Sequence, residues 1–67
     1  MRIGEVIRGE RQRIGMSQEA LADASGLDRS HLGRIERGER NVTLLDLIKI
    51  TDALQCDPSE LLSAANL

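Results

Sequence analysis

The stretch Ser17-Gln18-Glu19-Ala20-Leu21-Ala22-Asp23-Ala24-Ser25-Gly26-Leu27-Asp28-Arg29-Ser30-His31-Leu32-Gly33-Arg34-Ile35-Glu36-Arg37 decides the fold. Ser17 offers a side-chain oxygen to the free N–H groups of a helix start, and Ala20, Leu21 and Ala24 give that short helix a small inward face. Gly26 suits a left-handed C-cap, Leu27 turns back toward the core, and Asp28 caps a second helix whose inward residues are Leu32 and Ile35. Gly38 closes it. Two helices of about eight residues, joined by a tight glycine-containing turn with small residues where they cross, have the geometry of a helix-turn-helix.

Toward the N-terminus, Ile3, Val6, Ile7 and Ile14 fall on one face at helical spacing, and Gly15 ends the segment. Glu10 interrupts that face and reads as a partly exposed acid paired with a nearby Arg. Gly9 costs this helix about 1 kcal/mol relative to alanine, so its stability comes from tertiary packing. Toward the C-terminus, Thr43 and Asp46 form a capping box for a fourth helix reaching Leu54. Its apolar residues Ile50, Leu54, Leu47, Leu44 and Ile48 cover about 160° of the helix, and Leu45 widens the arc to about 220°, more than one core contact consumes. Asp57-Pro58-Ser59-Glu60 starts a fifth helix with an acid cap and a proline at its first position, followed by Leu61 and Leu62. Five helices without a strand signal predict an all-α chain, one domain over residues 1–67.

A chain of 67 residues buries only about 60% of its unfolded surface, so its core must be economical. It contains no Phe, Tyr or Trp, which removes base-stacking platforms and aromatic ligand cages. No apolar run approaches the roughly 18 residues of a membrane helix, and Met1 to Glu10 has no signal-peptide core, so a cytoplasmic protein without membrane attachment is expected. One cysteine and one histidine cannot build an internal disulfide or a structural zinc site, and no cofactor is expected. Cys56 reads as a small buried residue at a helix end. The sequence lacks a nucleophile with a partnered base, a phosphate-cradling glycine loop and metal-ligand spacing, which argues against an enzyme. The net charge of -2 conceals a polarity: residues 1–40 carry net +1 from eight arginines, whereas residues 41–67 carry net -3. Such a chain is acidic overall and still able to grip phosphate locally.

The runs Ser17-Gln18-Glu19-Ala20-Leu21-Ala22, Ser25-Gly26-Leu27-Asp28-Arg29-Ser30 and Ile35-Glu36-Arg37-Gly38 resemble the Cro/cI-type helix-turn-helix regulators of bacteria and phages. The likeness extends through Ile3-Gly4, Ile7-Arg8 and Arg11 on one side and Leu44, Leu47, Ile50 and Leu54 on the other. Within that family, Leu27-Asp28-Arg29-Ser30 and Ile35-Glu36-Arg37 with Arg40-Asn41 look most like the controller proteins of restriction-modification systems. The resemblance implies a compact five-helix, lambda-repressor-like domain, with the helix-turn-helix in helices 2 and 3, that binds double-stranded DNA as a regulator of transcription.

In a recognition helix capped at Asp28, the first turn Arg29-Ser30-His31 projects toward the groove and Arg34 follows. Arg29 can pair with O6 and N7 of guanine through two bonds, and Ser30 serves several bases. Base readout is therefore assigned to Arg29, Ser30, His31 and Arg34. Gln18, at the first turn of the preceding helix, by resemblance meets backbone phosphate together with the helix N-terminus, where Ser17 is the cap. By resemblance Arg40 and Asn41 contact the backbone or minor groove, with Arg37 beside them, and Arg11 and Glu36 form an ion pair between the first and third helices. Leu45, Ile48, Leu62 and Leu67 are candidates for a homodimer interface, since two-fold symmetry matches a palindromic site. The same surface would suit an antitoxin-like module that binds a partner protein, and such a domain also serves as the N-terminal part of larger repressors.

Overall fold

A computed structural model describes residues 3–65, which form five helices in chain order: α1 (Ile3–Arg13), α2 (Gln18–Ser25), α3 (Arg29–Glu36), α4 (Leu44–Leu54) and α5 (Pro58–Ala64). Each start after α1 is fixed by the residue that the sequence marks for it. Ser17 Oγ accepts from Ala20 N at 3.0 Å, and Asp28 Oδ2 accepts from Ser30 N at 3.1 Å and His31 N at 3.3 Å. Thr43 Oγ1 accepts from Asp46 N at 3.1 Å, and Asp57 Oδ1 accepts from Ser59 N at 3.2 Å. Each such cap is worth about 1 kcal/mol, a large contribution in helices of two or three turns.

The ends are marked as well. Gly26 takes a left-handed conformation (φ 75°) after α2 and donates its N–H to Ala22 O and Asp23 O. The corresponding position after α4 is Gln55 (φ 58°), where a side chain carries the steric penalty that glycine avoids. All five helices contribute to one core. Ile3 and Ile7 of α1, Leu21 of α2, Leu32 and Ile35 of α3, and Ile50 and Leu54 of α4 belong to a single buried cluster. Leu61 and Ala65 close the core from the C-terminal side. A fully buried Leu or Ile contributes about 1.5–3 kcal/mol. Cys56 is half-buried against this cluster, and burial pushes its thiol pKa up, so the thiol stays protonated and inert at neutral pH.

Three side chains depart from the periodic reading. Ile14 lies beyond the last turn of α1 and is 40% exposed, because the helix stops at Arg13 before that face is completed. Ala24 is exposed, and Ala22 is the alanine buried beside Leu21. Leu44 is 73% exposed: at the first position of α4 it precedes the turn that meets the core. Glu10 pairs with Arg13 at the surface, as expected for an isolated acid on that face.

One close approach sets the packing of α1 on α3. A Cβ on Gly4 would lie 2.1 Å from Ile35 O, so α1 can rest on the end of α3 only with glycine there. Thr51 is buried and donates its hydroxyl to Leu47 O at 2.9 Å, satisfying a polar group inside the core.

Candidate nucleic-acid interface

α2 and α3 meet across the Gly26 turn, and their outer surfaces form a cleft lined by Gln18, Arg29, Ser30, Gly33, Arg34 and Arg37. A Cβ on Gly33 would sit 3.2 Å from Arg37 Nη1 and 3.4 Å from Gln18 Oε1. Glycine therefore leaves room for the two side chains to converge. Arg29, Ser30 and Arg34 are exposed. Among the described residues the Arg29 and Arg34 guanidiniums form no hydrogen bond or ion pair within the protein. Their donors are available to an acceptor outside it.

Behind the cleft lies a buried polar cluster. Arg11 Nε donates to Glu36 Oε2 at 2.8 Å and Arg11 Nη2 to Glu36 Oε1 at 3.0 Å, while Arg11 Nη1 reaches Met16 O at 2.9 Å. Gln18 Nε2 adds a bond to Glu36 Oε1 at 3.2 Å. Helices α1, α2 and α3 are thus tied at one point, and the hydrogen bonds that Arg11 donates to Glu36 raise the Arg11 pKa. The pair expected between Arg11 and Glu36 is present, with both carboxylate oxygens engaged. The Gln18 amide is turned partly inward to it, so this side chain at the start of α2 is anchored within the protein.

The remaining candidates are placed as follows. Ser17 is exposed, with its hydroxyl capping α2. Arg37 is exposed and pairs with Glu39, Nε to Oε2 at 2.7 Å; the pairing raises the Arg37 pKa and lowers that of Glu39. Arg40 and Asn41 are exposed in the loop between α3 and α4. The His31 ring is turned to α4, where Nε2 lies 2.8 Å from Asp46 Oδ2, so it stands apart from Arg29 and Ser30. On α4, Leu45 is 61% and Ile48 is 48% exposed, whereas Leu62 is half-buried against the core. Leu67 lies outside the described residues.

One basic residue was not singled out from the sequence. Arg8 of α1 is exposed and lines a second cleft with Arg11, Gln18, Glu36 and Arg37, adjoining the first. Its signal is the spacing to Arg11, three residues on along the same helix, but a lone outward arginine is ordinarily a solvated charge.

Among the described residues no helix is long and apolar enough to cross a membrane. The helix-turn-helix family matches residues 7–61. The chain is 43% identical over 65 residues to control protein C.SmaI of Serratia marcescens, covering 97% of this chain and 77% of that protein. In three dimensions it is similar to the restriction-modification controller protein C.AhdI of Aeromonas hydrophila, with a TM-score of 0.87 and 48% identity over 90% of this chain and 91% of that one. It is also similar to the DNA-binding domain of the P22 C2 repressor, with a TM-score of 0.85 and 33% identity over 90% and 79% of the two chains.

Proposed function

The chain belongs to the helix-turn-helix family of DNA-binding regulators, and from that premise we propose that it controls a restriction-modification system by reading a palindromic operator as a homodimer. The observation that carries the reading is the cleft at the α2–α3 corner, where Arg29 and Arg34 present uncommitted guanidiniums beside Ser30 on a helix locked by the Asp28 cap. In this reading α3 lies in the major groove. Arg29 reads guanine, with Arg34 and Ser30 on neighbouring bases. The start of α2 with Ser17 and Gln18, together with Arg37, Arg40 and Asn41, holds the phosphates and sets the register.

Pairing of two chains is supported by the exposed Leu44, Leu45 and Ile48 on α4, which form an apolar patch without a partner inside the protein. A second copy is the occupant favoured by the acidic character of residues 41–67, which is unsuited to DNA, and by the symmetry of palindromic sites.

Selection of bound sequences from a random duplex pool at stated salt tests the proposal. The expected product is a pair of related half-sites at a fixed separation. Leu45→Asp, followed by sedimentation, should abolish the dimer and operator binding together. A pool that emerges without sequence preference rules out the operator; a Leu45→Asp protein that stays dimeric rules out the α4 interface.

A further inference from the structure

Helix α3 packs on α1 and α2, whereas α4 packs on α1, α2 and α5, so α3 and α4 share no broad contact. The segment joining them, residues 37–43, is mostly exposed. Across that gap His31 Nε2 lies 2.8 Å from Asp46 Oδ2, and the side chains are only 26% and 14% exposed. Among the described residues it is the one side-chain hydrogen bond between α3 and α4. Both ends are held in the first turn of a capped helix, because His31 N donates to Asp28 and Asp46 N to Thr43. The neighbours on the α3 side are Arg29 and Ser30, and those on the α4 side are Leu44 and Leu45. The bond therefore lies between the surface assigned to DNA and the surface assigned to a second copy.

We propose that the His31–Asp46 hydrogen bond is a positioning link that fixes the angle of α3 against α4, and thereby the separation between the two reading helices of a paired protein. The link rests on the operator-reading dimer described above. His31 then acts through Arg29 and Ser30 and not on a base of its own. Rigid placement of this kind matters because half-site spacing is read as geometry: a helix free to swing accepts several separations and pays for ordering at each.

The test uses operators derived from the site that the wild-type protein selects, with the half-site separation lengthened or shortened by one base pair. Binding is titrated for wild type, His31→Ala, Asp46→Ala and the double variant, with melting curves to establish that each is folded. Each single change should weaken binding at the preferred spacing about tenfold, the scale of one charge-assisted hydrogen bond, and should narrow the discrimination between spacings. The double variant should lose no more than the worse single, and base preferences within a half-site should stay unchanged. His31→Gln, which can still donate to Asp46, should restore much of the discrimination, a result that a generally loosened fold would not give. Losses that add in the double variant would overturn the link. So would a base preference altered by His31→Ala alone, or unchanged spacing discrimination while wild type still selects a site. A wild-type protein that selects no site defeats the operator reading, and the link with it.

Discussion

Arg11 illustrates how a single residue serves both stability and site. Its guanidinium is buried, satisfies both oxygens of Glu36 and holds Met16 O, so removing it leaves a carboxylate in the interior with only Gln18 as partner. Breaking a buried pair of this kind costs about 3–5 kcal/mol, a large share of what a domain of this size possesses. Arg11→Ala should lower the unfolding free energy in urea by about 3 kcal/mol, and Arg11→Met with Glu36→Leu should lose less than Arg11→Ala alone. A double variant as unstable as the single would show that the cluster stabilises by something other than mutual compensation. Asp46 gives a pH signature. The hydrogen bond from His31 holds its carboxyl below the ordinary aspartate value of 3.8, against the opposing effect of burial. A carboxyl whose folded pKa is lowered contributes stability above its unfolded pKa and loses it as pH falls toward and through the folded value. Acid unfolding of Asp46→Asn should therefore show a smaller decline in stability below about pH 4; identical acid limbs would mean that the bond contributes nothing in solution.

At the scale of the helices, the two glycines of α1 make opposite demands. Gly4 lies where a Cβ would strike Ile35 O at 2.1 Å, whereas a Cβ on Gly9 meets nothing within 4 Å. Gly9→Ala should stabilise the protein by about 0.5–1 kcal/mol through helix propensity and the unfolded chain. Gly4→Ala should destabilise it by more than that, because α1 must move off α3; thermal melts of the two variants shifting in the same direction would contradict this account. The contrast was not legible in the sequence, where a helical glycine looks the same whether it faces solvent or a carbonyl of another element. The caps at Ser17, Asp28, Thr43 and Asp57 were legible because their chemistry is complete within four residues. So was the surplus apolar arc of α4, although the angle alone assigned Leu44 to it without showing that this first position points past the core. Ile14 and Ala24 failed for the same reason: periodicity gives direction, but not where a helix stops or which neighbour arrives. Of the candidate site, the exposure of Arg29 and Arg34 at one cleft was readable from the motif. The turn of His31 toward Asp46 was not, since nothing local joins residues on different helices.

For the molecule as a whole, an acidic protein that binds DNA is explained by segregation of charge. Net +1 over residues 1–40 and net -3 over 41–67 let the basic part of the chain approach phosphate although the whole is acidic. Arg8 and Arg40, exposed on opposite flanks of the motif in sequence, should act as phosphate contacts. Arg8→Ala and Arg40→Ala should each weaken binding to operator and random duplex alike and reduce the slope of log affinity against log salt by about one per chain. A change in base preference in either variant would move that residue into the readout group. In the proposed complex, sequence is read by the α3 arginines and affinity is supplied around them. Titration of wild type and Arg29→Ala against the selected operator and a scrambled duplex in the same salt separates the two contributions. A fall of about 10- to 100-fold in the ratio of operator to scrambled affinity, with scrambled binding nearly unchanged, is the result expected from the loss of a bidentate base contact. Equal losses on both duplexes would contradict it.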